Sequence, residues 1–380
     1  MDLTRIGAYG PWAASLVSEK PGEYSFLNDR FCDVGEWRQE AMEQLQNRLA
    51  EPAIDVTPEV TVHRDGTHDG LQVTELSWQL PYGPATQAFF LRPEGADEPL
   101  PGVLALHDHG GRMYFGKRKI AQVNDDIHPV IVGHRREAYA GLAWANELAK
   151  RGYAVLVPDA FSFASRRVML DDVPEVIRGG LSDDDPENVD NVDAYNNWSM
   201  SHESIVAKSL FCSGTTLPGV FLSEDRAALG VLAAIDGVDA KRLGCGGLSG
   251  GGLRTVFLGG TDPRIKCAVC VGMMSTWRDY LLTTGYMPTW MVYVPRLPGE
   301  LEYAEILGLR MPLPTLVQNN NEDHLFTLPE MERADEILSG VYKKAGAKER
   351  YRCSFYPGHH KFDVPMQAEA FDWFDQWLNV

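Results

Sequence analysis

Apolar residues fall in two successive patterns along most of this chain. Short β-branched or aromatic runs come first: EVTVHRDG (59–66), LQVTELSWQL (71–80) and ATQAFFLRP (85–93), separated by Gly, Asp and Pro. That spacing predicts an antiparallel meander. Further strands are predicted at RLGCGGLSGGG (242–252), LPTLVQNN (313–320) and YRCSFYPG (351–358), and continuous apolar runs at PGVLALHDHGG (101–111), GYAVLVPDA (152–160) and KCAVCVG (266–272). Runs of this kind mark strands buried on both faces. Between them lie helical patterns near Ala138–Arg151 and over 223–235, 328–346 and 364–378. The alternation predicts an α/β protein, with a mostly parallel central sheet flanked by helices.

The first 55 residues read as an N-terminal helical extension. Trp37, Met42, Leu45 and Leu49 recur near helical spacing and Pro52 ends the run, which predicts a helix from about Val34 to Ala50. Its apolar side needs the main body as a partner. Residues 56–380 show no repeats and no long linker, and read as one domain with lid-like insertions at about 161–216 and 276–310. The acidic run SDDDPENVD (182–190) is expected to be a solvated loop, because like charges resist burial. The aromatic stretch TTGYMPTWMVYVPRLPG (283–299) is expected above the carboxyl ends of the strands, where insertions shape ligand pockets. Trp277, Tyr286 and Trp290, all in the insertion at 276–310, are the candidate pocket-lining residues.

Composition narrows the partners. The 380 residues carry 35 Lys+Arg against 53 Asp+Glu, a formal charge of −18. An acidic surface argues against nucleic acid or anionic membrane as a partner. No run is long and apolar enough for a transmembrane helix, and the first residues lack a signal-peptide pattern. Cys267 and Cys270 form a lone CxxC that reads as part of a buried strand rather than as a redox or zinc pair. The expected location is the cytoplasm, with reduced thiols.

The chemistry centres on Gly247-Leu248-Ser249-Gly250-Gly251, a G-x-S-x-G between a predicted strand and a predicted helix. Small neighbours are needed where a serine sits on a sharp strand-to-helix turn with its hydroxyl exposed. The helix start adds free N–H groups and a positive dipole end. A nucleophilic serine needs a base and a group to orient that base, supplied in the order Ser, acid, His. The strand at 313–320 opens into Glu322, Asp323 and His324, and the strand at 351–358 opens into His359 and His360. Asp323 is the better acid, because a short carboxylate holds an imidazole with less entropy loss; Glu322 is the alternative, and His324 is read as a loop neighbour. Either His359 or His360 is the base. Oxyanion donors are expected at Gly250 and in the loop His107-Asp108-His109-Gly110-Gly111, at His109 or Gly110. The HDH triplet resembles half of a metal cluster, but the Gly-Gly after it argues against a metal, so none is expected.

With these motifs in place, the chain resembles the α/β-hydrolase superfamily, within it bacterial proteins described as acetyl xylan esterase-like or dienelactone hydrolase-like. LALHDHGG, RLGCGGLSGGG, NNEDHLF and FYPGHHKF carry the likeness, with SFLNDRFCDVGEWRQEA (25–41) and AKSLFCSGTTLPGVFLSEDRAALG (207–230) extending it over nearly the whole chain. The resemblance implies the α/β-hydrolase fold. It implies Ser249 as nucleophile, Asp323 as acid, His360 (favoured by its His-x-Phe setting) as base, and cofactor-free hydrolysis of a small or medium carboxylic ester. Dienelactone hydrolases proper use a cysteine nucleophile; position 249 is serine, so their substrate does not carry over. A peptidase, amidase or lactone hydrolase on the same fold is the alternative, ahead of a non-catalytic binding protein. The expected partner is a small-molecule ester, and an acidic enzyme with an apolar lid has the surface to form a homo-oligomer.

Overall fold

The computed structural model describes residues 6–17, 21–54, 56–284 and 289–379. Nine strands form one sheet: β1 (Val60–His68), β2 (Leu71–Trp78), β3 (Thr86–Pro93), β4 (Leu100–Ala105), β5 (Ala154–Pro158), β6 (Val238–Leu248), β7 (Ile265–Val271), β8 (Thr315–Asn320) and β9 (Tyr351–Tyr356). Their spatial order is β1-β2-β3-β5-β4-β6-β7-β8-β9. The first three pair antiparallel, and β3 meets β5 antiparallel. From β5 to β9 every pairing is parallel. The sheet thus begins as the expected meander and continues as the expected parallel body.

Alternation along each strand feeds two cores. On β4 and its extension, Leu104 and Leu106 point into one core and Val103 and Ala105 into the other, all fully buried. The first core is covered by helices Leu217–Ala234, Gly250–Thr261 and Leu328–Lys344; the second by Trp144–Lys150 and Val364–Leu378. Cys267 and Cys270 fall on opposite faces of β7 and so face different cores. Burial raises both thiols above their ordinary range.

The N-terminal helix runs Val34–Leu49. The Asp33 carboxylate accepts the Glu36 N–H at its start, and Ala50 in a left-handed conformation ends it. Trp37, Ala41, Leu45 and Leu49 are fully buried in the same core as the central strands, while Met42 is only partly buried. Spacing by four puts Ala41, rather than Met42, on the buried stripe.

The helical stretch expected at Ala138–Arg151 is two helices, Pro129–Ala138 and Trp144–Lys150. Ala140 and Gly141 between them both take positive φ, which no helix can accommodate. The insertion at 161–216 carries a 25-residue helix, Val189–Ser213, capped by the Asn188 side chain. The acidic run leading into it is largely exposed. Among the described residues, no single helix is long and apolar enough to cross a membrane.

Candidate active site

At the end of β6 the chain turns through Ser249 (φ 57°, ψ −118°) into helix Gly250–Thr261. This strained backbone is locked from both sides: Ser249 N–H donates to the Val271 carbonyl and its own carbonyl accepts from Leu253 N–H, each at 2.8 Å. The motif glycines have a steric cause. A β-carbon on either Gly247 or Gly251 would fall 2.1 Å from the Leu106 carbonyl oxygen, and one on Gly250 would lie 2.8 Å from the His109 backbone nitrogen. The helix therefore starts flush against the end of β4.

The acid and base come from the loops after β8 and β9. Asp323 Oδ2 and His360 Nδ1 are 2.6 Å apart, and Asp323 Oδ1 accepts the Leu325 N–H at 2.9 Å. The Asp323 carboxylate is fully shielded from solvent. A short, buried, charge-assisted contact of this kind fixes the ring and its tautomer. Glu322, His324 and His359 are exposed and take no part in this contact. The His360 ring lies against Gly272, which follows β7 next to the Ser249 turn; a β-carbon there would be 2.9 Å from His360 Cε1. His360 Nε2, the far ring nitrogen, is buried without a hydrogen-bond partner among the described residues.

Ser249 and Gly250 open onto a cavity with His109 on one wall and Leu253, Met273, Tyr280, Tyr293 and Phe326 on the others. Trp277 and Trp290, expected as lining, are not among its walls. Trp277 is fully buried, with its indole N–H on the Leu301 carbonyl at 2.8 Å and its ring edge-on to Tyr303. Trp290 packs beside the cavity on Phe211 and Tyr293. Tyr286 lies outside the described residues. The aromatic walls are instead Tyr280, Tyr293 and Phe326, two of them from the same insertion. A wider groove of about 710 Å³ runs along Glu51, Ser223, Arg226 and Arg264, but no histidine lines it and Glu51 pairs with Arg226 at 3.2 Å. Chemistry rather than volume identifies the site.

The loop after β4 is held by buried polar groups that sequence reasoning missed. Asp108 turns away from the cavity, its Oδ1 accepting from Tyr139 Oη at 2.5 Å and lying 3.1 Å from His134 Nε2. Burial works to raise its carboxyl, but His134, Lys119 and the Tyr139 hydrogen bond outweigh this and hold it well below the usual range. His107 is pushed down to about 3 by burial and by the neighbouring Lys119 and Arg254 charges, so its imidazole is neutral. Glu203, from helix Val189–Ser213, reaches across to stand 3.4 Å from His109 Nε2 and accepts the Trp290 N–H at 2.7 Å. Among the described residues, no group of three or more His, Cys, Asp or Glu side chains is placed to hold a metal.

Comparison with known proteins agrees with this geometry at the level of fold. No family model matches the chain. It is 25% identical over 294 residues, 77% of this chain and 83% of the other, to the Bacillus subtilis (strain 168) protein named "Putative hydrolase YtaP". A Bacteroides fragilis structure described as "a putative acetyl xylan esterase" superposes with TM-score 0.67 at 16% identity, covering 93% of this chain and 84% of that one. A glucuronoyl esterase from Solibacter usitatus gives 0.64 at 14% identity, covering 94% and 97%. The nine-stranded sheet, its strand order and these superpositions together give the chain the α/β-hydrolase fold.

Proposed function

We propose that the protein is a serine hydrolase that cleaves a small or medium carboxylic ester through an acyl-enzyme. The observation that carries this reading is the 2.6 Å Asp323–His360 pair, whose ring packs on Gly272 beside the strained Ser249 turn. In this mechanism His360 Nε2 takes the Ser249 proton as Oγ attacks the ester carbonyl, and Asp323 stabilises the imidazolium. The N–H groups of Gly250 and of His109 or Gly110 receive the tetrahedral oxyanion. Collapse expels the alcohol, which takes the proton from His360. Water then repeats the cycle on the acyl group and releases the acid. The atoms balance with water alone, so the reaction calls for no cofactor.

The apolar and aromatic walls favour an uncharged acyl or aryl group beside the reacting carbonyl. Structural neighbours described as "a putative acetyl xylan esterase" and a glucuronoyl esterase support an ester carried by a carbohydrate as the substrate to try first.

The test is intact-mass labelling with a fluorophosphonate beside p-nitrophenyl acetate and butyrate turnover. Wild type should take one label and turn over; Ser249→Ala should take none and lose on the order of 10⁴-fold or more in kcat. Labelling that persists in the variant overturns the assignment.

A further inference from the structure

We propose that Lys119 is a positioning residue for the oxyanion site, its buried ammonium drawing two consecutive carbonyls so that the N–H groups behind them face the reacting serine. The inference rests on the serine-hydrolase reading and deepens it. Lys119 ends a short turn, Lys117–Lys119, and is fully buried. Its Nζ donates to the Asp108 carbonyl at 2.6 Å and to the His109 carbonyl at 2.9 Å, and stands 3.6 Å from Asp108 Oδ2.

In a trans peptide the C=O and the following N–H point in opposite directions. The Asp108 carbonyl shares its peptide with the His109 N–H, and the His109 carbonyl shares its peptide with the Gly110 N–H. Both N–H groups are therefore aimed away from Lys119. An independent contact places the first of them: the His109 nitrogen lies 2.8 Å from the β-carbon position of Gly250, directly after the serine. The next amide is not available to substrate, because Gly111 N–H donates to His109 Nδ1 at 3.1 Å.

A lysine achieves what a neutral donor cannot. Three donors on one tetrahedral head satisfy two carbonyls and still face a carboxylate. A positive charge behind the carbonyls polarises both peptides and strengthens their N–H groups as donors. The turn is itself held rigid: Arg135 donates to the carbonyls of Lys119, Arg118 and Ala121. Gly110 completes the loop at φ +56°, where a β-carbon would fall 2.3 Å from Asp108 Oδ2.

The test is Lys119→Met, which keeps the length of the side chain and removes its donors. Turnover of p-nitrophenyl acetate is expressed per active site titrated by fluorophosphonate, and phenylboronic acid, which forms a tetrahedral adduct on the serine, reports the oxyanion site. The expectation is a kcat about 10²-fold lower at unchanged KM, with boronate affinity weakened by a similar factor. A merely structural lysine would lower the melting temperature and the titratable fraction but leave turnover per site and boronate affinity near wild type. That result overturns the proposal, as does a kcat loss without a boronate loss.

If the variant does not fold, Lys119→Gln read by the same kcat and boronate measurements decides, and wild-type values for both overturn the proposal. Burial lowers the Lys119 ammonium to about 8 against the opposing pull of Asp108, with Arg112 and Asp159 the other charges facing it. Deprotonation weakens both carbonyl contacts and leaves Asp108 unbalanced behind the site, so kcat should fall with a midpoint near pH 8. Retained labelling in Ser249→Ala would instead defeat the serine-hydrolase reading, which separates the two failures.

Discussion

The carbonyl oxygen of Leu106 stands 2.1 Å from the point where a β-carbon on Gly251 would sit. Nothing flexible intervenes, since the obstacle is backbone at the end of a central strand. Gly251→Ala must therefore push helix Gly250–Thr261 off β4 or distort the strand. Overpacking a filled interior costs about 1–3 kcal/mol, and a backbone obstacle belongs at the upper end. Urea unfolding should show a loss of about 3 kcal/mol. A variant with wild-type midpoint and slope would mean that the helix start yields freely.

The same contact shows why some features were readable from sequence and others were not. G-x-S-x-G is legible because its glycines answer to local backbone geometry, and the interior parallel strands are legible because burial on both faces leaves continuous apolar runs, whereas the edge strand β9 is only partly buried. Lys119, Arg254 and Glu203 carry no such signal; a charged residue reads as surface unless its partners, distant in sequence, are known. Trp277 and Tyr280 share one aromatic stretch, and sequence does not say which of them faces the cavity and which the core. The break at Tyr139–Ala143 has one glycine to signal it, Gly141, while Ala140 beside it takes the left-handed conformation without such a signal.

Asp323 and Glu322 are adjacent, yet only Asp323 reaches His360, and their substitutions should differ sharply. Asp323→Asn keeps the shape but supplies no negative charge, and its amide can favour the wrong imidazole tautomer. Ester turnover should fall on the order of 10³–10⁴-fold. Glu322→Gln, at an exposed position, should stay within about 2-fold of wild type. Steady-state kinetics on both variants checks this, and a reversed order would transfer the orienting role to Glu322.

Helix Gly250–Thr261 is tied to helix Leu217–Ala234 by a buried ion pair, with Arg254 Nε donating to Asp225 Oδ2 at 2.9 Å and a second bond between the same groups. Burial raises the Asp225 carboxyl, and Arg254 only partly offsets it. Removing one partner strands the other charge in the interior, which costs about 3–5 kcal/mol. Arg254→Met should therefore destabilise by about that amount, while Arg254→Met with Asp225→Leu should recover most of it. Denaturant unfolding of the two variants gives the coupling directly. If the double variant is no better than the single one, the pair's geometry rather than its charge holds the two helices together.

Glu305 gives a stability prediction with a defined pH window. It lies in the short helix Tyr303–Gly308, is 1% exposed, and its Oε1 accepts from both Ser25 Oγ at 2.7 Å and Phe26 N–H at 2.8 Å. Burial raises its carboxyl to about 7, against hydrogen bonds from Ser25 and Phe26 that favour the ionised form. Below the unfolded value both states hold the proton and the group is neutral to stability. As pH rises from about 4.5 to about 7 the unfolded chain releases the proton while the folded chain keeps it, so folding stability falls across that window and is level above it. The shift corresponds to about 3 kcal/mol lost by pH 8. Glu305→Gln retains an oxygen that can accept both donors and removes the titration. Above pH 7 it should be more stable than wild type by about 1–3 kcal/mol, and below about pH 4.5 the two should converge. Melting curves of both proteins from pH 4 to pH 8 test this. A gap that is constant across the range would place the effect in packing rather than in the proton.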